Sequence, residues 1–165
     1  MKQLTLTQRK WLKSFHLITA GFWVTSGSTM LLLHFMLSSV KTGDQLYLMN
    51  QIIYFIDMKI LVPSAMLCLV TGLLYSQYTK WGYFKHNWIT YKWIVTILII
   101  ILGTIFSGPW IEEMVKISGE IGLEALDSPE YQKLYLDQAL IGFGMNAAII
   151  VAIFFSVFKP KLGKK

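Results

Sequence analysis

The chain has 165 residues, 55% of them hydrophobic, and a formal net charge of +6. Four separate uncharged stretches have no use in a soluble domain of this size, so composition alone places the chain in the membrane class. The basic excess does not read as a nucleic-acid surface, because the positive charges fall where the cytoplasmic ends of a membrane protein belong.

The uncharged stretches run from Ser14 to Val40, from Ile60 to Thr79, from Trp93 to Ile111 and from Gln138 to Phe158. Each is close to the roughly 20 apolar residues that carry a helix across a hydrocarbon core about 30 Å thick. An all-α fold is expected, a four-transmembrane-helix bundle in a single integral membrane domain over 1–165, with helices at about 8–40, 46–78, 87–108 and 129–158. Helix 1 is too long for the core of a cleaved signal peptide and lacks a small-residue cleavage site. It ends near Lys41, where Thr42, Gly43 and Asp44 supply turn chemistry. Helix 2 contains Pro63, which removes a backbone donor and should kink it.

Trp81, Tyr83, Phe84, Trp88 and Tyr91, with Trp11, read as an interfacial aromatic belt between helices 2 and 3. Helix 3 is expected to stop at Ser107, Gly108 and Pro109. Between it and helix 4, Ile111, Met114, Val115, Ile117, Ile121 and Leu123 alternate with glutamates near helical spacing. That pattern describes an extracytoplasmic amphipathic segment, lying on the membrane surface or capping the bundle. Helix 4 opens on Asp127 or Ser128 as N-cap, with Pro129 and Glu130 behind it. At 1.5 Å per residue it measures about 45 Å, so its first two turns should stand above the membrane. Gly142, Gly144, Ala147 and Ala148 give it small surfaces for close helix contact.

Charge sets the orientation. Lys2, Arg9, Lys10 and Lys13 precede helix 1; Lys80, Lys85 and Lys92 lie at the connection of helices 2 and 3; Lys159, Lys161, Lys164 and Lys165 follow helix 4. The acidic residues lie toward the opposite side. Both termini are therefore expected in the cytoplasm, with the lipid bilayer as the surrounding partner and no nucleic acid bound.

Polar residues inside the spans are the candidate site. His16 and His34 are 18 residues apart, five whole turns and about 27 Å of rise, so they share one face of helix 1 at opposite membrane depths. Asp57, Ser64, Cys68, Thr71 and Tyr75 form a stripe on helix 2. Asp57 and His34 fall at similar depth, and a pair between them is expected. Lys59 is expected to reach the headgroups by snorkelling. His16, Tyr75, His86 and Lys92 come to similar depth at the other face. Gln138 and Asn146 of helix 4 read as interhelical glue. Cys68 stands alone, so it makes no intrachain disulfide, and its plainest role is that of a small filler.

Imidazoles projecting into a four-helix membrane bundle suit axial ligation of haem b. His16, His34 and His86 are the ligand candidates, with one haem between His16 and His86. Three histidines cannot supply two bis-histidine haems. His34 and Asp57 with Met30, Met36 or Met58 make an alternative metal site, for which copper suits imidazole and thioether. The plain alternative is cofactor-free: His16 and His86 at the interface and methionines filling gaps.

Thr71 and Gly72, then Trp81, Gly82, Phe84, His86, Trp88 and Lys92, with Lys85 at the basic position, resemble the signature of a family of small bacterial inner-membrane proteins of four predicted helices. The match covers helices 2 and 3, and the resemblance implies a bacterial inner-membrane location without any particular activity. More distantly the architecture and the helix 1 histidine resemble copper-resistance-D-like proteins and four-helix membrane cytochromes b, although the chain lacks the histidine complement of a two-haem cytochrome. That likeness implies haem and redox work.

No phosphate-cradling glycine loop, zinc-binding helical motif or nucleophile elbow is present, so any enzyme activity would be that of a membrane oxidoreductase. Three functions remain open: a haem-binding electron-transfer protein, a metal or small-solute transporter or accessory subunit, and a structural partner in a homo-oligomer or larger membrane complex.

Overall fold

The computed structural model describes residues 3–79 and 81–160. Of the basic residues that set the expected orientation, Lys2, Lys80, Lys161, Lys164 and Lys165 lie outside the described residues. Helix α1 is Leu6–Met36, α2 Gly43–Ile56, α3 Val62–Tyr78, α4 Asn87–Leu102, α5 Gly108–Ile121 and α6 Pro129–Phe158. No strand occurs among the described residues. Because α2 runs into α3 and α4 into α5, the chain forms four rods, Leu6–Ser39, Gly43–Tyr78, Asn87–Asp127 and Pro129–Phe158, each long and apolar enough to cross a membrane.

Helix α1 starts on a reciprocal cap. The Thr5 hydroxyl accepts from the Gln8 N–H at 3.3 Å, and the Gln8 side-chain Oε1 accepts from the Thr5 N–H at 3.0 Å, which satisfies two donors that a helix start leaves orphaned. Thr42 caps α2 with its hydroxyl, which accepts from the Gln45 N–H at 3.3 Å, while the Gln45 Oε1 accepts from the Lys41 N–H at 3.1 Å. Ser128 and Pro129 open α6 as expected from sequence.

The two internal prolines are handled alike. A proline has no N–H, and its ring collides with the carbonyl four residues back. In each case the chain widens by one π turn just ahead of the proline, over Asp57–Leu61 before Pro63 and over Gly103–Ser107 before Pro109. The N–H groups of Val62 and Gly108 bond the carbonyls of Asp57 and Gly103, five residues back, so the helix bends around the ring without breaking. Ser107, Gly108 and Pro109 therefore do not stop the third helix, which continues through α5 as one rod. Its α-helical run ends at Ile121, followed by 3-10 turns over Gly122–Asp127, where Gly122 takes φ 60°.

Helix α1 packs against α3 and α6, α4 against α6, and α2 against α5. The Leu4 N–H donates to the Tyr78 carbonyl at 3.3 Å, and the Lys159 ammonium sits 4.9 Å over the Trp81 ring, so both termini share one end of the bundle. The opposite end is closed by α5. Its Ile111, Met114 and Ile117 turn inward with Leu37, Leu46 and Tyr131 to build the larger core, while Ile121 and Leu123 stay exposed. The amphipathic segment thus caps the bundle. Along the rods Phe15, Phe22, Leu32, Leu140 and Phe143 are exposed, the surface that a hydrocarbon solvent tolerates.

The cap closes on a glycine pair. A Cβ on Gly43 would lie 2.9 Å from the Gly122 Cα and 3.1 Å from the Leu123 nitrogen, closer than carbon atoms pack. Gly43→Ala is expected to force the first turn of α2 away from the α5–α6 connection and destabilise the protein by about 1–2 kcal/mol. A thermal unfolding midpoint in detergent measures the loss.

Candidate functional site

Among the described residues two partly open cavities, largely apolar with a few polar groups, lie one toward the end that holds both termini and one toward the capped end. Trp23 and Ile149 stand in the walls of both.

The terminal-end cavity is the larger, about 370 Å³. On α1 it reaches from Lys13 to Val24, about 16 Å of rise at 1.5 Å per residue. His16 stands in its wall beside Gly72, where a Cβ would come within 3.6 Å of the His16 Cε1. The His16 Nδ1 lies 2.9 Å from the Thr71 hydroxyl. That hydroxyl spends its one proton on helix carbonyls, Leu67 at 2.7 Å and Cys68 at 3.0 Å. With its proton on a helix carbonyl the hydroxyl accepts from His16, and in that tautomer the proton sits on Nδ1 and Nε2 keeps a free lone pair. The Cys68 sulfur sits 3.9 Å from the same Nδ1.

Cations ring this cavity. Lys13, Lys92 and Lys159 all line it. The Lys92 ammonium donates to the Ser156 hydroxyl at 3.1 Å and lies 5.3 Å over the Trp88 ring. Trp81, Trp88 and Trp93 supply flat apolar wall. An amphiphile with a flat apolar body and an acidic group matches such a lining.

His86 does not join His16. It is the N-cap of α4, with extended backbone at φ −135° and ψ 132°, and its ring meets Trp81 edge-on at 5.5 Å and stacks with Trp88 at 6.2 Å. Tyr75 and Lys92 do reach the His16 cavity; His86 does not line it.

The capped-end cavity is smaller, about 70 Å³, and is lined by His34, Asp57, Ser107, Gln138 and Asn146 among apolar neighbours. His34 and Asp57 share it, as their depths predict, yet no hydrogen bond joins them. The His34 ring instead stacks on Tyr135 of α6 at 4.1 Å between centroids, and its Nε2 has no partner. The Gln138 amide donates to the Ser107 hydroxyl at 2.9 Å, tying α6 to the second π turn. Asn146 donates to the carbonyls of Gly142 at 2.8 Å and Gly27 at 3.4 Å and accepts from the Ser28 hydroxyl at 3.3 Å. Gln138 and Asn146 are thus the interhelical ties their residue types promised. Met30 lines this cavity, but Met58 and Met36 are exposed and do not. Lys59 is exposed as well. Among the described residues no three of His, Cys, Asp and Glu gather closely enough to hold a metal ion.

Several lining residues escaped the reading of the sequence. Tyr135 belongs to the stripe Tyr135, Gln138, Gly142, Met145 and Ile149, whose steps of three and four put it on the inward face of α6; that periodicity was available. The same steps continue through Ala152 to Ser156 and Lys159 at the end of α6, so their signal was available as well.

No family model, no curated protein and no solved structure matches the chain. What the fold itself identifies is a class: among the described residues, an all-helical chain with four helices long and apolar enough to cross a membrane, as in a multi-pass membrane protein.

Proposed function

We propose that the chain is an integral protein of a bacterial inner membrane, both termini cytoplasmic, that binds haem b in its terminal-end cavity and serves electron transfer. One observation carries the reading: the Thr71 hydroxyl lies 2.9 Å from the His16 Nδ1, and in the tautomer in which it accepts the Nδ1–H the Nε2 lone pair is left free in the wall of a large cavity. Metal-bound histidines are oriented by such a second hydrogen bond. Lys13, Lys92 and Lys159 suit two acidic side groups, and the three tryptophans suit a flat macrocycle. Because His86 lies outside the cavity, His16 is the one imidazole that lines it among the described residues. Copper on His34, Asp57, Met30 and Met58 has less support, since Met58 is 43% exposed and lies outside the cavity the others share.

The orientation is supported by charge. Arg9, Lys10, Lys13, Lys85 and Lys159 stand at the terminal end, against Glu112, Glu113, Glu120, Glu124, Asp127 and Glu130 at the capped end. The bacterial location rests on the signature around His86. No residue in the most apolar window of α6 is fully buried within the chain, so beyond its contacts with α1 and α4 that helix turns its outer face to lipid or to a further membrane subunit.

The test is an absorption spectrum of protein purified from haem-supplemented cells, oxidised and reduced. A Soret band with stoichiometric haem is the expected result. Protein that remains colourless after haem is added in detergent would remove the proposal.

A further inference from the structure

The capped-end cavity holds a carboxylate without a counter-ion. Asp57 is 6% exposed, and among the described residues the one ion pair is the surface contact of Lys116 with Glu113. An isolated carboxylate among apolar helices costs several kcal/mol, so such groups persist only with a cation beside them or a proton on them. Two residues that line the same cavity each carry a fully buried polar atom with no partner. His34 is 3% exposed with Nε2 unpartnered, and Gln138 is 8% exposed with Oε1 unpartnered. Buried polar atoms are almost always satisfied, and an exception calls for a missing partner.

Both π turns open here. Asp57 and Leu61 come from the first, Gly103 and Ser107 from the second. Single π turns recur at functional sites, since they turn side chains and backbone that a regular helix would hide. Gly108 follows the second turn, and a Cβ there would lie 3.9 Å from the Asp57 Oδ2, so a longer side chain would crowd the carboxylate. The cavity's 70 Å³ leaves room for several waters, each needing roughly 10–15 Å³ of such space.

We propose that Asp57 binds an exchangeable small monovalent cation, a proton or a sodium ion, in this cavity, with the oxygens of Gln138 and Ser107 and trapped water completing its surroundings. One carboxylate balances one positive charge. The oxygen donors are hard, which favours an alkali cation over copper. His34 from α1 is the titratable group that shares the cavity, with Tyr135 stacked on it; α4, its π turn and α6 contribute the neutral Ser107, Gln138 and Asn146. The site does not depend on haem in the other cavity and is read without it.

Infrared spectra and thermal midpoints of the detergent-purified protein in choline chloride and in sodium chloride test the inference. Expected at neutral pH in choline is a protonated-carboxyl stretch that vanishes in Asp57→Asn. If sodium is the cation, its addition removes that band and raises the midpoint saturably in the wild type and not in the variant; if the proton is, the band persists at every sodium concentration. Should Asp57→Asn not fold, Asp57→Glu keeps the group and displaces its band. Wild-type protein with neither a protonated-carboxyl band nor a sodium-specific midpoint shift overturns the proposal.

Discussion

Asn50→Leu is expected to lower the stability of the purified protein by about 2–3 kcal/mol, chiefly by stranding a hydroxyl in the cap. Asn50 is 1% exposed on α2. Its amide donates to the Ser118 hydroxyl at 3.1 Å and the Tyr131 hydroxyl at 2.9 Å, and its carbonyl accepts from Tyr131 at 3.3 Å. One side chain thereby joins α2, α5 and α6. Ser118 keeps its bonds to the Met114 and Val115 carbonyls when the amide is gone, but the Tyr131 hydroxyl, on a residue 1% exposed, keeps none. Removing both partners should cost less than removing one, because the penalty lies in the orphan and not in the lost bond. Asn50→Leu with Tyr131→Phe should therefore recover much of the loss. Denaturant unfolding of the two single variants and the double completes the cycle. A double variant as unstable as the sum of the singles would place the cost in packing instead.

The cap also shows which parts of the fold were legible. Charge-free runs give away the four rods because lipid demands them, and Ser128 with Pro129 marks the start of α6 through local chemistry alone. The end of the third helix was misread for an equally local reason. Gly108 and Pro109 are strong breakers by propensity, but burial of Ile111, Met114 and Ile117 against α2 rewards continuation, and one π turn makes room for the ring. Nothing within a window around Pro109 contains that reward.

The site divides along the same line. Spacing of five turns correctly puts His16 and His34 on the inward face of α1, since both residues lie in one regular helix. It does not reveal that they open into different cavities, divided by Trp23 of the same helix and Ile149 of α6. Depth counted along the chain brought His86 to the level of His16, yet His86 precedes the first turn of α4, where helical phase does not exist, and Trp81 and Trp88 take its ring. Likewise Asp57 and His34 share a level and a cavity, but the azimuth of α6 brings Tyr135 onto the imidazole first. Periodicity fixes a residue's direction on its own helix; the neighbour it meets depends on rotation between helices.

Three substitutions around the larger cavity carry unequal weight, and their order is the sharpest consequence of the proposed haem site. His16→Ala should abolish haem binding, because no other imidazole lines the cavity. Thr71→Val keeps the shape of the side chain and removes the acceptor that holds Nδ1–H; freed to rotate or change tautomer, His16 should bind haem about 10–100-fold more weakly. His86→Ala should leave binding unchanged, because the ring lies outside the cavity against Trp81 and Trp88. Titrating haem into each purified variant and reading the Soret band gives the affinities, and the thermal midpoint in the absence of haem separates loss of ligand from loss of fold. A reversed order, with His86→Ala colourless and His16→Ala retaining the band, would move the ligand to the other imidazole and leave the Thr71 bond as ordinary helix packing.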